Sequence, residues 1–152
     1  MAIRLTLLTP APSPALREAR VDDDGPLDEH GRQQARAAID GLPPADRHLT
    51  APSRQCRETA DALGLDPAVD VALRAIDLGT WRGRTFDELA AADPTALAAW
   101  TTNPAAAPHG GESVQQLCGR IADWHAFWRI DLRPLAHVHL TGRARRWNLR
   151  LE

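Results

Sequence analysis

A repeated alternation limits the fold more than any other feature of this chain: a short apolar run, then a helix that opens on a capping residue. Residues 3–8 form an apolar run that predicts a buried strand. Asp28 is placed to cap a helix whose apolar stripe is Ala35, Ala38, Ile39 and Leu42, with Gly41 and Pro43-Pro44 ending it. Residues 48–50 predict a second short strand. Ser53 then caps a helix over 54–63 that Gly64 closes, and 69–73 read as extended. Thr85-x-x-Glu88 and Ser113-x-x-Gln116 are capping boxes, and Asp93-Pro94 opens a helix that runs to Trp100. Val114, Leu117, Cys118 and Ile121 follow the second box at helical spacing. Beyond it, 127–132, 136–140 and 146–151 read as strands separated by Arg133-Pro134 and Gly142. Strands alternating with helices argue for an α/β sheet covered by helices. Residues 11–25, rich in proline and charge, read as one long loop.

Composition narrows the class. With 152 residues, 43% of them hydrophobic, residues 1–152 form one domain with a core that needs no disulfide or metal staple. No apolar run has membrane-spanning length, and the N-terminus has no signal-peptide pattern, so a cytoplasmic protein without a membrane partner is expected. A net charge of −2 provides no general attraction to nucleic acid. The basic tail of Arg143, Arg145, Arg146 and Arg150 lacks the aromatic platform that nucleic-acid binding would use. Cys56 and Cys118 have no metal-site spacing and are expected to be reduced thiols. His137 and His139 share a strand face without a third ligand. No cofactor or metal is expected. All 18 basic residues are arginine, so any anion site would be built from guanidinium forks.

Four segments in register carry a family resemblance. They are Pro26-Leu27-Asp28-Glu29-His30-Gly31-Arg32-Gln33-Gln34-Ala35, Thr50-Ala51-Pro52-Ser53-Arg54-Gln55-Cys56-Arg57-Glu58-Thr59-Ala60, Ile76-Asp77-Leu78-Gly79-Thr80-Trp81-Arg82-Gly83, and Pro108-His109-Gly110-Gly111-Glu112-Ser113 followed by Arg120. Together they resemble the histidine phosphatase superfamily, the phosphoglycerate-mutase-like proteins. The resemblance implies a three-layer sandwich: a mostly parallel sheet flanked by helices, here missing one strand–helix unit near the C-terminus, between Trp124 and Phe127.

The same resemblance implies that the catalytic set is gone. The family's first strand runs into Arg-His-Gly, whose histidine takes the phosphoryl group. Those slots align with Thr9, Pro10 and Ala11. The second arginine aligns with Gln55, or with Arg54 if the turn shifts by one. The acid aligns with Ala75, and the second histidine has no counterpart. Proline has neither a nucleophilic side chain nor a backbone N–H. The expectation is a protein without catalytic residues that binds a phosphorylated or anionic small ligand, or a protein partner. The candidate ligand-binding residues are Arg17, Arg54, Arg57, His109 and Glu112, with Arg20 above the same region. Two alternatives stand beside it: an active phosphomonoesterase, phosphatase or mutase, using His109 or His30 as a relocated base, and a homodimeric assembly protein.

Overall fold

The computed structural model describes residues 3–123, 137–143 and 146–151. Strand β1 (Ile3–Leu8) leads into helix α1 (Pro14–Arg17) and then α2 (Glu29–Ala37). A 3-10 turn at Ile39–Gly41 precedes strand β2 (Leu49–Thr50), helix α3 (Arg54–Ala62) and strand β3 (Ala68–Val69). Further 3-10 turns at Val71–Leu73 and Gly79–Trp81 lead to α4 (Phe86–Ala92), α5 (Pro94–Thr102) and α6 (Val114–Asp123). Strands β4 (His137–Arg143) and β5 (Arg146–Leu151) follow.

The caps are those the sequence predicts. Asp28 accepts from the Gly31 amide, Ser53 from Cys56 and Asp93 from Ala96. Thr85 and Glu88 form a reciprocal box, and so do Ser113 and Gln116. Each satisfies amides that a helix N-terminus leaves without an internal partner.

Several expectations are corrected. The loop expected over 11–25 contains α1, because Ser13 accepts from the Leu16 amide and Pro14 fills the first helical position. Ile39, expected on the buried stripe of α2, is 42% exposed. The helix tightens to 3-10 there, and the smaller number of residues per turn rotates Ile39 off the stripe. The mostly parallel sheet is not what the described strands form. The larger sheet has the order β1-β4-β5 and is antiparallel throughout, with Ile3 opposite Gly142 and Val138 opposite Leu151. Parallel pairing is confined to β2 and β3. Arg143 pairs with Arg146, and so short a link can join only antiparallel neighbours. Gly142, expected to separate strands, lies inside that ladder. The strand expected over 127–132 and the missing unit expected after Trp124 lie outside the described residues.

Two apolar clusters hold the described core. Ala11, Leu27, Ala35 and Leu63 pack with Leu8, Ala38 and Leu42, joining the end of β1 to α2 and α3. Val21, Trp81 and Leu89 pack with Leu97 and Trp100, joining the segment after α1 to α4 and α5. No helix among the described residues is long and apolar enough to cross a membrane.

Candidate functional site

The segment after β1 is clamped between two helices. Thr9 and Pro10 are half-buried, while Ala11 is 2% exposed and donates its amide to Thr59 Oγ1 at 3.0 Å. The Thr59 hydroxyl in turn donates to the Gln55 carbonyl at 2.7 Å, one turn back along α3. On the other side α2 packs so closely that a Cβ on Gly31 would lie 2.5 Å from the Pro12 carbonyl oxygen. Thr59 therefore ties the β1 loop to α3 through one hydroxyl. Replacing it with valine keeps the shape but leaves the buried Ala11 amide unpaired. Thr59→Val is expected to cost about 1–3 kcal/mol in urea unfolding, and Thr59→Ser to recover most of it.

Around α3 the side chains are already engaged. Gln55 Nε2 donates to Asp22 Oδ1 at 2.7 Å, and the Arg54 amide donates to Asp24 Oδ1 at 2.6 Å. Arg54 Nε donates to Glu58 Oε1 at 2.7 Å, while Glu58 Oε2 accepts from Arg32 Nη2 and the Leu27 amide. Partial burial opposes ionisation of Glu58, but these donors outweigh it and hold its carboxyl below the usual range. Arg57 is exposed and makes no side-chain hydrogen bond or ion pair among the described residues. Arg17 forms a two-pronged ion pair with Asp28. Arg20 is held by Glu18, the Gly83 carbonyl and Glu88. It lines a cleft of about 350 Å³ with Ser13, Glu18, Asp23 and Gly83.

The other half of the set lies in two interlocked turns. Gly79 and Gly111 sit against the carbonyls of His109 and Asp77, and the Glu112 amide donates to the Asp77 carbonyl at 2.6 Å. Sequence reasoning placed His109 among the candidate ligand-binding residues, and the structure places it in the interior of these turns. His109 is 1% exposed, packs edge-on against Trp81 at 5.0 Å, and accepts the Gly111 amide at Nδ1. Burial pushes its pKa below the ordinary histidine value, so the ring is neutral at pH 7 with its proton on Nε2. Glu112 is engaged in an ion pair. Arg120 binds both its carboxylate oxygens, at 2.9 and 2.8 Å, and reaches on to the Ala72 and Arg74 carbonyls. Ala75 lies exposed beside this anchor and offers no acid.

The structure thus brings Ala11, Gln55 and Arg54 together around α3, leaves Arg57 open, and places His109 and Glu112 in the two interlocked turns. Sequence reasoning missed Asp22 and Asp24, although the acidic run before Pro26 was visible. It also missed Glu58, although its spacing of four from Arg54 was the available signal. Among the described residues no group of three or more His, Cys, Asp or Glu could hold a metal ion.

The described strands and helices form an α/β scaffold, with an antiparallel sheet and a small parallel pair. The profile of the histidine phosphatase superfamily (branch 1) matches residues 14–129, and the chain belongs to that superfamily. It is 37% identical over 126 residues to the glucosyl-3-phosphoglycerate phosphatase of Mycolicibacterium vanbaalenii, covering 72% of this chain and 55% of that one. It is 39% identical over 103 residues to the protein of the same name in Mycobacterium tuberculosis, covering 64% and 46%. The chain spans about half the length of the curated relatives it matches. Among solved structures, a mycobacterial glucosyl-3-phosphoglycerate phosphatase in complex with VO3 superposes with a TM-score of 0.80 at 25% identity, over 97% of each chain. A putative alpha-ribazole-5'-P phosphatase from Escherichia coli shares the fold with a TM-score of 0.86 at 17% identity, over 99% of this chain and 96% of that one.

Proposed function

We propose that this chain is a catalytically silent histidine-phosphatase-fold protein that recognises a phosphorylated ligand without hydrolysing it. The observation that carries this reading is Pro10 at the end of β1, with Thr9 and Ala11 beside it and the Ala11 amide tied to Thr59. Phosphoryl transfer through a protein intermediate needs a nucleophile, cations around the equatorial oxygens and an acid for the leaving oxygen. Pro10 offers no nucleophile, Thr9 and Gln55 no cation, and Ala75 no acid. Arg57 at the start of α3 is the cation best placed to meet an anion, with Arg54 and Arg17 available only by giving up Glu58 and Asp28. The names of the relatives suggest a phosphorylated sugar acid as the first ligand to try.

The test is hydrolysis of glucosyl-3-phosphoglycerate and p-nitrophenyl phosphate, together with a search for acid-labile phosphoprotein. A kcat/KM about four orders of magnitude or more below that of an active relative is expected, with no phosphohistidine. Turnover at ordinary enzyme rates would sink the reading.

A second reading, hydrolysis with a relocated base, is favoured by the relatives' names. His109 supports it poorly because it is buried with Nδ1 held by Gly111. His30 is exposed on α2 against Gln34, so the His30→Ala variant is the one that would lose activity under this reading.

A further inference from the structure

The turn from Pro108 to Gly111 is fastened by an ionisable ring. The His109 side chain is 1% exposed, meets Trp81 edge-on at 5.0 Å, and accepts the Gly111 amide at Nδ1, 3.1 Å away. Its backbone carbonyl accepts from the Thr80 amide at 3.0 Å and from Thr80 Oγ1 at 3.3 Å. The ring and the carbonyl of one residue therefore join the two interlocked turns. The bond at Nδ1 exists only while that nitrogen keeps its lone pair. Nε2 is buried and has no hydrogen-bond partner among the described residues. Trp100, which meets Trp81 at 5.7 Å, buries a second unpaired N–H, a donor that offers the ring nothing to donate to.

A protonated ring is unfavourable here on three counts. Nδ1 would point an N–H at the Gly111 N–H, Nε2 would have no acceptor, and the charge would be held away from water. Burial opposes the charged ring, and the nearby Asp77 carboxylate offsets only part of that effect. Asp77 Oδ1 is itself engaged by the Gly79 amide at 2.9 Å. Glu112, just before α6, is held by Arg120 and Arg74. Arg82, after the Gly79–Trp81 turn, reaches the Asp22 carbonyl instead. Thr80 and Trp81 on that turn and Trp100 on α5 carry no charge.

We propose that His109 is an acid-sensitive latch: protonation of its ring breaks the Gly111 bond, drives the ring away from Trp81 and opens the Pro108–Gly111 turn. The device is independent of what the chain binds. Gly110, at φ +76 with nothing within 4 Å of its Cβ position, is the point where the turn swings out. The swing carries the His109 carbonyl off Thr80, so the two turns part together. A ring in water takes up a proton near the ordinary histidine value of 6.5, whereas the enclosed ring does so only at lower pH. The closed turn therefore prevails above about pH 6.5. Below it the open form gains up to about tenfold per pH unit, until the enclosed ring protonates as well.

The experiment follows hydrogen exchange of the Gly111 and Thr80 amides in the full chain from about pH 7.5 to about pH 5, corrected for the intrinsic pH dependence of exchange. Wild type is compared with H109N and H109F. The asparagine oxygen accepts from the amide two residues on and does not titrate. Phenylalanine keeps a ring without a nitrogen. In wild type the protection of both amides is expected to fall about tenfold per pH unit below about pH 6.5, and in both variants to stay level. The His109 ring resonance of wild type is expected to titrate below the ordinary histidine value, in step with the loss of Gly111 protection. That measurement decides the matter even where a variant fails to fold. A level wild-type profile overturns the latch, as does the same slope in the variants. A ring that titrates at or above the ordinary value, or without loss of Gly111 protection, overturns it too.

Discussion

Gly79→Ala is expected to lower the stability of the chain by about 3 kcal/mol or more, read as a shifted midpoint in urea unfolding. Gly79 has φ +46, and a Cβ built on it would lie 2.1 Å from the His109 carbonyl oxygen and 3.1 Å from the Gly111 amide nitrogen. Both neighbours are backbone, so neither can rotate away. They are also fixed by other bonds: the His109 carbonyl accepts from the Thr80 amide at 3.0 Å, and the Asp77 carbonyl from Glu112. Relieving the overlap would separate the two turns and expose the Trp81 side of the second core cluster. Gly110 supplies the control. It also has a positive φ, at +76, but nothing lies within 4 Å of its Cβ position. Gly110→Ala therefore carries backbone strain alone, and about 1–2 kcal/mol is expected. Equal losses at both positions would show that the interlock of the two turns contributes little.

Glu112→Ala is expected to be the next most damaging change, at about 2–4 kcal/mol. The Glu112 and Arg120 side chains are only 11% and 13% exposed, and they meet through two parallel bonds. Removing the carboxylate leaves a mostly buried guanidinium without its counter-ion, although the Ala72 and Arg74 carbonyls still accept from it. The hydrogen bonds from Arg120 hold the Glu112 carboxyl below the usual carboxylate range, against the opposing effect of burial. A carboxyl whose pKa is lowered on folding stabilises the protein above its unfolded pKa, about 4.3 for glutamate. That contribution is lost as pH falls through the lower, folded value. Glu112→Gln should therefore differ most from wild type near neutral pH, with the gap closing below about pH 4. A gap that stayed constant down to strongly acid pH would show that the ion pair is not its source.

Much of the scaffold is legible in the residues themselves. Asp28, Ser53, Thr85, Asp93 and Ser113 each cap the helix expected of them. Capping depends on a side chain and an amide two or three residues away, and so it is written locally. Strand pairing is not local. The run at 3–8 says that a strand forms but not what lies beside it. Its partner comes from the far end of the chain, where Leu8 meets His137, and only the folded path brings the two together.

The candidate site divides along the same line. Sequence alone determined that position 10 is proline and position 75 alanine, because the absence of a reactive group needs no fold to establish it. Sequence also marked Arg54, Arg57, His109 and Glu112 by residue type. Only the tertiary structure decided what each of them touches. His109 packs against Trp81 and accepts from the Gly111 amide. Glu112 became an anchor because α6 brings Arg120 within reach, eight residues on. Arg54 was neutralised by Glu58 on its own helix, and Arg57, three residues further, was left open. A charge in a sequence is a capacity to bind. Which partner takes it depends on distances that only the folded chain sets, since the interaction falls with separation and with exposure to water.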